Sequence, residues 1–168
     1  MASERNKNDI LYMQQAIKLA RQAAARNEVP IGAVVVDAHC AVVARASNCV
    51  QSAADPLGHA EIRALRRAAK RQRDWRLDGY TLYVTLEPCA LCMQVIIHSR
   101  IARVVYGAAS PVYGFSLDKY CVFKLDKCLV EIDGDFCKLE AQQLLKDFFR
   151  KKRDLAHDRS KENNSFRT

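Results

Sequence analysis

A His-x-Glu tripeptide and a cysteine pair preceded by proline restrict the fold of this chain more than any other feature. The tripeptide is His59-Ala60-Glu61, and further along the chain Pro88 introduces Cys89-Ala90-Leu91-Cys92. Proline suits the start of a helix, where its missing N–H costs nothing, and residues three apart share one helix face. The positive end of such a helix favours thiolates, the form that binds metal. If the histidine and the cysteines share a metal ion, two separate segments must meet at one point of the fold.

His59, Cys89 and Cys92 make a set of three ligands that suits zinc and leaves one coordination position for water. Catalytic zinc sites keep such a position open, whereas structural sites are usually closed by four protein ligands. Glu61 then has no task as a ligand and is the candidate for proton transfer. The order His-x-Glu followed by Pro-Cys-x-x-Cys resembles the signature of the zinc-dependent nucleobase deaminases. We therefore predict a catalytic site with one Zn²⁺ per subunit, in which the metal would activate water and Glu61 would move its proton.

Three other interpretations of these residues stay open at this point. Cys89 and Cys92 could form a redox pair, although they lack thioredoxin-like surroundings. A closed, structural zinc site could be completed by Cys121 or Cys128. Glu61 could be an ordinary carboxylate on the surface of a helix.

Composition predicts one soluble globular domain. The chain has 168 residues, of which 49% are hydrophobic and 27% charged, enough to bury a substantial core. No run of about 18 apolar residues predicts a membrane helix, and no secretory segment follows the N-terminus. Seven cysteines without framework spacing indicate reduced thiols and a cytoplasmic location. We assign residues 1–158 to one domain and residues 159–168 to a polar, frayed tail.

Hydrophobic periodicity predicts an alternation of helices and strands. Helices are expected over residues 10–26, 59–71, 88–99 and 136–157, and strands over 31–36, 40–46, 80–86, 101–106 and 128–132. Asn8-Asp9 is expected to cap the first helix, residues 47–58 to form a loop, and a short helix to lie near Leu117. This order predicts a three-layer α/β/α sandwich on a five-stranded mixed sheet with a long C-terminal helix. Crossover connections would bring both metal-bearing helix starts to the same end of the sheet.

Several stretches resemble the bacterial tRNA-specific adenosine deaminases of the cytidine/deoxycytidylate deaminase superfamily. They are residues 28–34, 59–62, 81–89, 97–101 and 147–150. The resemblance implies a cytidine-deaminase-like fold, a homodimer, and hydrolysis of the wobble adenosine to inosine in an arginine tRNA anticodon. An unpaired base suits this chemistry because it enters a pocket at little unstacking cost. Residues 108–116 are bulkier than the corresponding segment of the family, which forms the pocket mouth and part of the subunit contact.

The resemblance also implies roles for single residues. His59, Cys89 and Cys92 match zinc ligands, and Glu61 matches the proton shuttle. Asn48 matches an asparagine that contacts the flipped nucleotide, and its amide both donates and accepts hydrogen bonds; the alternative is a plain turn residue. The remaining predicted substrate contacts around the base, for which core packing is the alternative, are Pro30, Ile31, Ala60 and Leu86.

Basic residues form two groups, and the net charge of +8 favours a polyanionic partner. The first group follows the tripeptide and comprises Arg63, Arg66, Arg67, Lys70, Arg71, Arg73 and Arg76. The second matches the RNA-contacting helix of the family and comprises Arg150, Lys151, Lys152 and Arg153. It would neutralise phosphates of the anticodon stem-loop, while Phe149 would stack on a loop base. Each group could instead be a solvated helix face. His98 is expected to pack near the site.

Two competing functions share parts of this pattern. A deaminase of a free base or nucleoside, of the guanine or cytidine type, would use the same zinc site. A nucleic-acid-binding module with a structural zinc would need a fourth protein ligand and would have no use for Glu61.

Overall fold

The structure, a computed structural model, describes residues 2–117 and 130–165. The helices are α1 (Ala2–Ala25), α2 (Val50–Ala53), α3 (Ala60–Gln72), α4 (Ala90–His98) and α5 (Lys138–Ser165). The strands are β1 (Gly32–Val36), β2 (Val42–Ser47), β3 (Thr81–Leu86), β4 (Arg103–Ala108) and β5 (Glu131–Asp133). A 3-10 turn at Phe115–Leu117 lies where the short helix was predicted. Across the ranges that the structure describes, no helix is long and apolar enough to cross a lipid bilayer.

The five strands form one mixed sheet in the order β2-β1-β3-β4-β5. β1 is antiparallel to both β2 and β3, whereas β4 is parallel to β3 and to β5. One face of the sheet packs against α1 and the start of α5, with Met13 and Ile17 in that core. The other face packs against α3 and α4 through Leu65 and Ile96. The predicted three-layer α/β/α sandwich on a five-stranded mixed sheet is confirmed.

One edge of the sheet collects the segments that carry the predicted site. The register pairs Gly32 of β1 with Ser47 of β2 and Leu86 of β3 with Ala108 of β4. The backbone N–H of Gly32 also donates to Thr85 Oγ1 at 3.2 Å, which joins the start of β1 to the end of β3. We call this the carboxyl edge, because the parallel strands β3 and β4 end there. Such an edge is where open α/β sheets bind their ligands.

Gly32 permits the close approach of α1 to the sheet. A Cβ atom at this position would lie 2.0 Å from the carbonyl oxygen of Ala16 and 2.8 Å from the backbone nitrogen of Ala20. Both atoms belong to the backbone of α1 and cannot move aside without shifting the helix. The glycine therefore sets the distance at which α1 crosses β1.

The predicted cap of the first helix was wrong. α1 already begins at Ala2, so Asp9 lies within it. The carboxylate of Asp9 is buried and accepts both Arg103 Nη1, at 2.7 Å, and Arg103 Nη2, at 2.9 Å. Its Oδ1 also accepts the hydroxyl of Tyr83 at 2.7 Å. A tertiary ion pair that fixes α1 against β3 and β4 thus takes the place of a local cap.

Other boundaries differ where local hydrogen bonds override the hydrophobic pattern. β2 starts at Val42, not residue 40, because Asp37 Oδ1 accepts the N–H groups of His39 and Ala41 and holds a turn. The predicted loop 47–58 contains α2, and β4 begins two residues later than predicted.

At the C-terminal end, β5 spans Glu131–Asp133, and Cys128, the predicted start of this strand, lies outside the described residues. α5 begins at Lys138 and continues to Ser165, so the predicted helix end near His157 was wrong. The assignment of residues 1–158 to one domain, with a tail over 159–168, stays a prediction.

Asp9→Ala should lower the free energy of unfolding in urea by about 3 kcal/mol, because it removes the buried bidentate partner of the Arg103 guanidinium and leaves it with the more exposed Asp133 and Glu131. Tyr83→Phe, which removes one hydrogen bond, should cost about 1 kcal/mol. Asp74→Ala, which removes the exposed partner of Arg76, is the matched control and should leave the free energy of unfolding nearly unchanged, because solvent screens this pair. Equal, small effects of all three substitutions would contradict this assignment of the buried ion pair.

Candidate active site

Three potential metal ligands meet at the carboxyl edge. The ligand atoms of His59, Cys89 and Cys92 all lie within 4.8 Å of one another. His59 Nδ1 is 3.3 Å from Cys92 Sγ and 3.7 Å from Cys89 Sγ. In residues 2–117 and 130–165, no other group of three or more such side chains converges in this way. One nitrogen and two sulfur donors in this arrangement fit a tetrahedral zinc ion with one position left for another ligand.

His59 and Cys89 occupy equivalent positions in the two helices. Each is the N-cap residue in extended backbone, His59 before α3 and Cys89 before α4. Cys89 and its preceding proline therefore stand just outside α4, and the prediction that Cys89 lies within the helix was wrong. Neither side chain makes a capping hydrogen bond. Both donor atoms are thus directed to the ligand cluster, which Cys92 joins from the first turn of α4.

The two thiols differ strongly in acidity. The hydrogen bond between the cysteine side chains lowers the pKa of Cys89 to about 4. The same hydrogen bond, together with burial, raises the pKa of Cys92. A hydrogen bond with Cys89 raises the pKa of His59. The cluster therefore already holds a thiolate at neutral pH, and thiolates are the zinc-binding form of cysteine.

Glu61, in the first turn of α3, is buried beside this cluster, with only 4% of its surface exposed. Its Oε2 atom has no hydrogen-bond partner among the described residues. Burial raises the pKa of this carboxyl group. A buried acceptor without a partner destabilises the folded state, so stability does not explain the position of Glu61. A buried carboxyl group with a raised pKa beside a metal site is suited to take up and deliver protons.

The residues predicted to surround the substrate base are grouped at the same edge. Asn48 directly follows β2, and its backbone N–H donates to the carbonyl oxygen of Ile31 at 2.9 Å. Pro30 and Ala60 are buried, while Ile31 and Leu86 are half-buried, with Leu86 ending β3. Their contact with a substrate stays a prediction.

The predicted RNA-contacting residues form a separate surface on α5. Phe149 is 45% exposed and packs edge-on against Phe148 at a ring distance of 5.3 Å. Arg150 Nη2 binds Asp147 Oδ1 at 2.7 Å, and Lys152 Nζ lies 5.6 Å from the centre of the Phe148 ring. All four predicted basic residues, Arg150, Lys151, Lys152 and Arg153, are exposed.

Part of the first basic group has a structural use. Arg63, Arg67 and Arg71, one helical turn apart on α3, donate in turn to the backbone carbonyl oxygens of Ser47, Arg45 and Val43. These carbonyls belong to β2, an edge strand, whose free acceptors would otherwise be open to pairing with another strand. The three guanidinium groups therefore cover the sheet edge, and this part of α3 is more than a solvated helix face.

His98 ends α4, at the opposite end of the helix from Cys89. It is exposed and stacks on Trp75, with ring centres 5.2 Å apart and an angle of 18° between the rings. The guanidinium of Arg100 lies 5.5 Å from the centre of the same tryptophan ring. The expectation that His98 packs near the site was wrong, because α4 carries it away from the carboxyl edge.

Two buried carboxylates at the carboxyl edge, Glu28 and Glu87, were not predicted from the sequence. Glu87 accepts the backbone N–H groups of Ser110, at 2.9 Å, and Ser116, at 3.0 Å. A Cβ atom at Gly114 would lie 2.4 Å from Glu87 Oε2, so the segment folds tightly around this carboxylate. The sequence does carry one shared signal: each acidic residue lies one or two positions before a proline.

Comparison with known proteins agrees with this site. Residues 6–108 match the cytidine and deoxycytidylate deaminase zinc-binding region. The tRNA-specific adenosine deaminase of Haemophilus influenzae is 39% identical over 156 residues, which is 91% of this chain and 90% of that protein. Its counterpart from Bacillus subtilis is 45% identical over 108 residues, or 64% of this chain and 66% of that one.

A solved structure extends the likeness to the fold. It comes from a study of A-to-I editing by tRNA:A34 deaminases at the wobble position of transfer RNA, with a TM-score of 0.74 and 37% sequence identity. The match covers 80% of this chain and 98% of that one. Fold and site together define a zinc-dependent hydrolytic deaminase. Within that class, the chain belongs to the cytidine and deoxycytidylate deaminase family, in the group of the tRNA-specific adenosine deaminases.

Removal of either kind of ligand should remove the metal. We expect the purified chain to hold one zinc ion, and His59→Ala or Cys92→Ser to retain almost none after dialysis against a chelator, as measured by inductively coupled plasma mass spectrometry. Cys40→Ser, which replaces an exposed cysteine, and Glu61→Gln should keep the full zinc content. Full zinc in Cys92→Ser, or loss of zinc in Cys40→Ser, would refute the assignment of the ligands.

Proposed function

We propose that this chain converts the wobble adenosine of a tRNA anticodon to inosine by hydrolytic deamination. The observation that carries the proposal is the partnerless Oε2 of buried Glu61 beside the His59, Cys89 and Cys92 cluster. The choice of tRNA as substrate is supported by relatives of that specificity that are alike over about nine-tenths of both chains.

The proposed mechanism assigns proton transfer to Glu61. His59, Cys89 and Cys92 would hold the zinc ion, which would supply a water-derived nucleophile near neutral pH. Glu61 takes the proton of the attacking water at Oε2 and delivers it to the adenine ring nitrogen next to the reacting carbon. It then carries a second proton to the departing amino group. One water is consumed, the C6–N6 bond breaks, and ammonia leaves inosine behind.

We assign the walls of the base pocket to Pro30, Ile31, Ala60 and Leu86, and a polar contact to Asn48. The support is their shared position at the carboxyl edge, where the carbonyl of Ile31 accepts the backbone N–H of Asn48. Apolar walls with one convergent amide suit a flat base that must be oriented as well as buried. An unpaired anticodon base reaches such a pocket without the cost of breaking a base pair.

The RNA backbone would lie along α5. Arg150, Lys151, Lys152 and Arg153 are exposed cations on consecutive positions of this helix, and Phe149 offers an exposed ring beside them. Cations of this kind neutralise phosphates of the anticodon stem, and aromatic rings stack on unpaired bases. An arginine tRNA as the substrate, a homodimeric enzyme and a cytoplasmic location complete the proposal. The homodimer is supported by three exposed large side chains that are close in sequence to a metal ligand or to its contacts, because a partner subunit would cover them. They are Leu57, Leu91 and Tyr113.

Glu61→Gln should lower the rate of inosine formation by about 10²-fold or more, because the amide cannot accept the proton from water. The assay is inosine at the wobble position of an arginine tRNA transcript with an ACG anticodon, with zinc content and RNA affinity measured in parallel and expected to stay unchanged. A native chain that contains zinc, forms no inosine and releases ammonia from guanine or cytidine would favour the competing free-base function. Full activity of Glu61→Gln would overturn the mechanism.

Neutralising Lys151 and Arg153 of α5, which form no ion pair with the residues that the structure describes, should weaken RNA binding without changing the chemical step. For Lys151→Gln/Arg153→Gln we expect a higher Kd for a labelled anticodon stem-loop and a salt dependence of log K that is shallower by about 0.7–0.9 for each phosphate that is no longer neutralised. Fluorescence anisotropy at several salt concentrations measures both. Arg76→Gln/Arg100→Gln removes the same charge near Trp75 and is the matched control. Equal weakening by both double variants would show that only net charge matters.

A further inference from the structure

Glu28 is a carboxylate without any solvent-exposed surface, located between the end of α1 and the start of β1. A buried charge is costly unless hydrogen bonds compensate it. All the described hydrogen bonds to this carboxylate come from the short segment between β2 and the end of α2. The donors are Asn48 Nδ2 at 3.2 Å and Gln51 N at 3.3 Å to Oε2, and Ser52 N at 2.7 Å and Ser52 Oγ at 2.9 Å to Oε1.

The contact between Glu28 and Asn48 fixes the orientation of the asparagine amide. Burial by itself would raise the pKa of Glu28, but hydrogen bonds from Ser52 and Gln51 lower it below the ordinary value, so the group is ionised at neutral pH. An ionised carboxylate only accepts hydrogen bonds. The side of the amide that faces Glu28 must therefore be the NH₂ group.

The backbone of Asn48 is fixed as well. Its N–H donates to the carbonyl oxygen of Ile31, and the next N–H, of Cys49, donates to the carbonyl oxygen of Gly58, both at 2.9 Å. With the main chain and the NH₂ side held, Asn48 keeps Oδ1 and one remaining N–H for another partner. No hydrogen bond to Oδ1 occurs within the described parts of the chain.

We propose that Glu28 is a positioning residue for substrate recognition: it fixes the order of donor and acceptor that Asn48 presents to the base. This rests on the proposed function, in which Asn48 contacts the flipped nucleotide. A fixed amide matches a base edge that carries one donor beside one acceptor. Adenine carries such a pair at N6 and N7, whereas guanine carries two acceptors at N7 and O6. Glu28 thereby contributes to discrimination between purines without touching either.

Glu28→Gln tests the proposal because it keeps the size of the side chain and changes its hydrogen-bonding pattern. The introduced carbonyl can still accept the two close donors of Ser52, which turns the introduced NH₂ group toward Asn48. Two facing donors force the Asn48 amide to rotate, and the order presented to the base is reversed. We expect kcat/KM for inosine formation on an anticodon stem-loop to fall at least tenfold, with zinc content unchanged.

A double-mutant cycle with Asn48→Ala separates positioning from a structural role. If Glu28 acts through Asn48, Glu28→Gln should lower kcat/KM by less than twofold when Asn48 is already alanine. Glu87→Gln, at a buried carboxylate that binds Ser110 and Ser116 instead, is the control and should have the same effect in both backgrounds. Ser52→Ala removes the hydroxyl hydrogen bond from α2 to Glu28 but keeps the bond between Glu28 and Asn48. Its kcat/KM should therefore stay within twofold of the native value.

The outcomes are distinct. The proposal is overturned if Glu28→Gln has equal effects with and without Asn48, or if Ser52→Ala reproduces its loss of activity. NMR of the native chain tests it even if the variant does not fold: Asn48 side-chain amide protons that exchange with water as fast as those of exposed asparagines would overturn it. A zinc-loaded native chain that forms no inosine would overturn the proposed function and this inference with it, whereas inosine formation with additive variants would overturn only the role of Glu28.

Discussion

The convergence of three donor atoms from two helix starts is the constraint on which the remaining structure depends. One donor comes from the residue before α3 and two come from the start of α4, and all three lie within 4.8 Å of one another. Both helices must therefore begin at the carboxyl edge and run back across the same face of the sheet. The parallel pairing of β3 with β4 meets this requirement, because α4 is the crossover between them. The close approach of α1 to Gly32 completes the sandwich from the other side.

Buried acidic groups show where this fold serves stability and where it serves chemistry. Asp9 is matched by Arg103 and Tyr83, away from the metal ligands. At the carboxyl edge, Glu87 accepts hydrogen bonds from backbone N–H groups, and Glu28 accepts them from the segment that contains Asn48. Among the described residues, Glu61 Oε2 is the only side-chain oxygen or nitrogen atom that is itself shielded from solvent and has no hydrogen-bond partner. Because such an atom destabilises the folded state, its presence next to the ligand cluster supports the proton transfer that we propose for Glu61.

The sequence alone predicted the parts of the molecule that depend on the local hydrophobic pattern or on the spacing of the metal-site residues. Periodicity predicted the order of the main helices and strands, and the spacing of His59, Glu61 and the cysteines predicted the metal cluster. The sequence could not show that Asp9 binds Arg103 at a distance of 94 residues along the chain, so a local cap was predicted instead. Nor could it show that Arg63 and Arg67 are directed to an edge strand, because the strand order is a property of the tertiary fold. Glu28 and Glu87 were missed for the same reason, since their donors are brought to them by folding.

A catalytic zinc site differs from a structural one in its coordination, and X-ray absorption spectroscopy at the zinc edge measures that directly. For the native chain loaded with one equivalent of zinc, we expect two sulfur neighbours at about 2.3 Å and two nitrogen or oxygen neighbours at about 2.0 Å. That result would match His59, Cys89, Cys92 and one exchangeable water. Three or four sulfur neighbours would show that further cysteines close the site, and they would contradict the assignment of a catalytic centre.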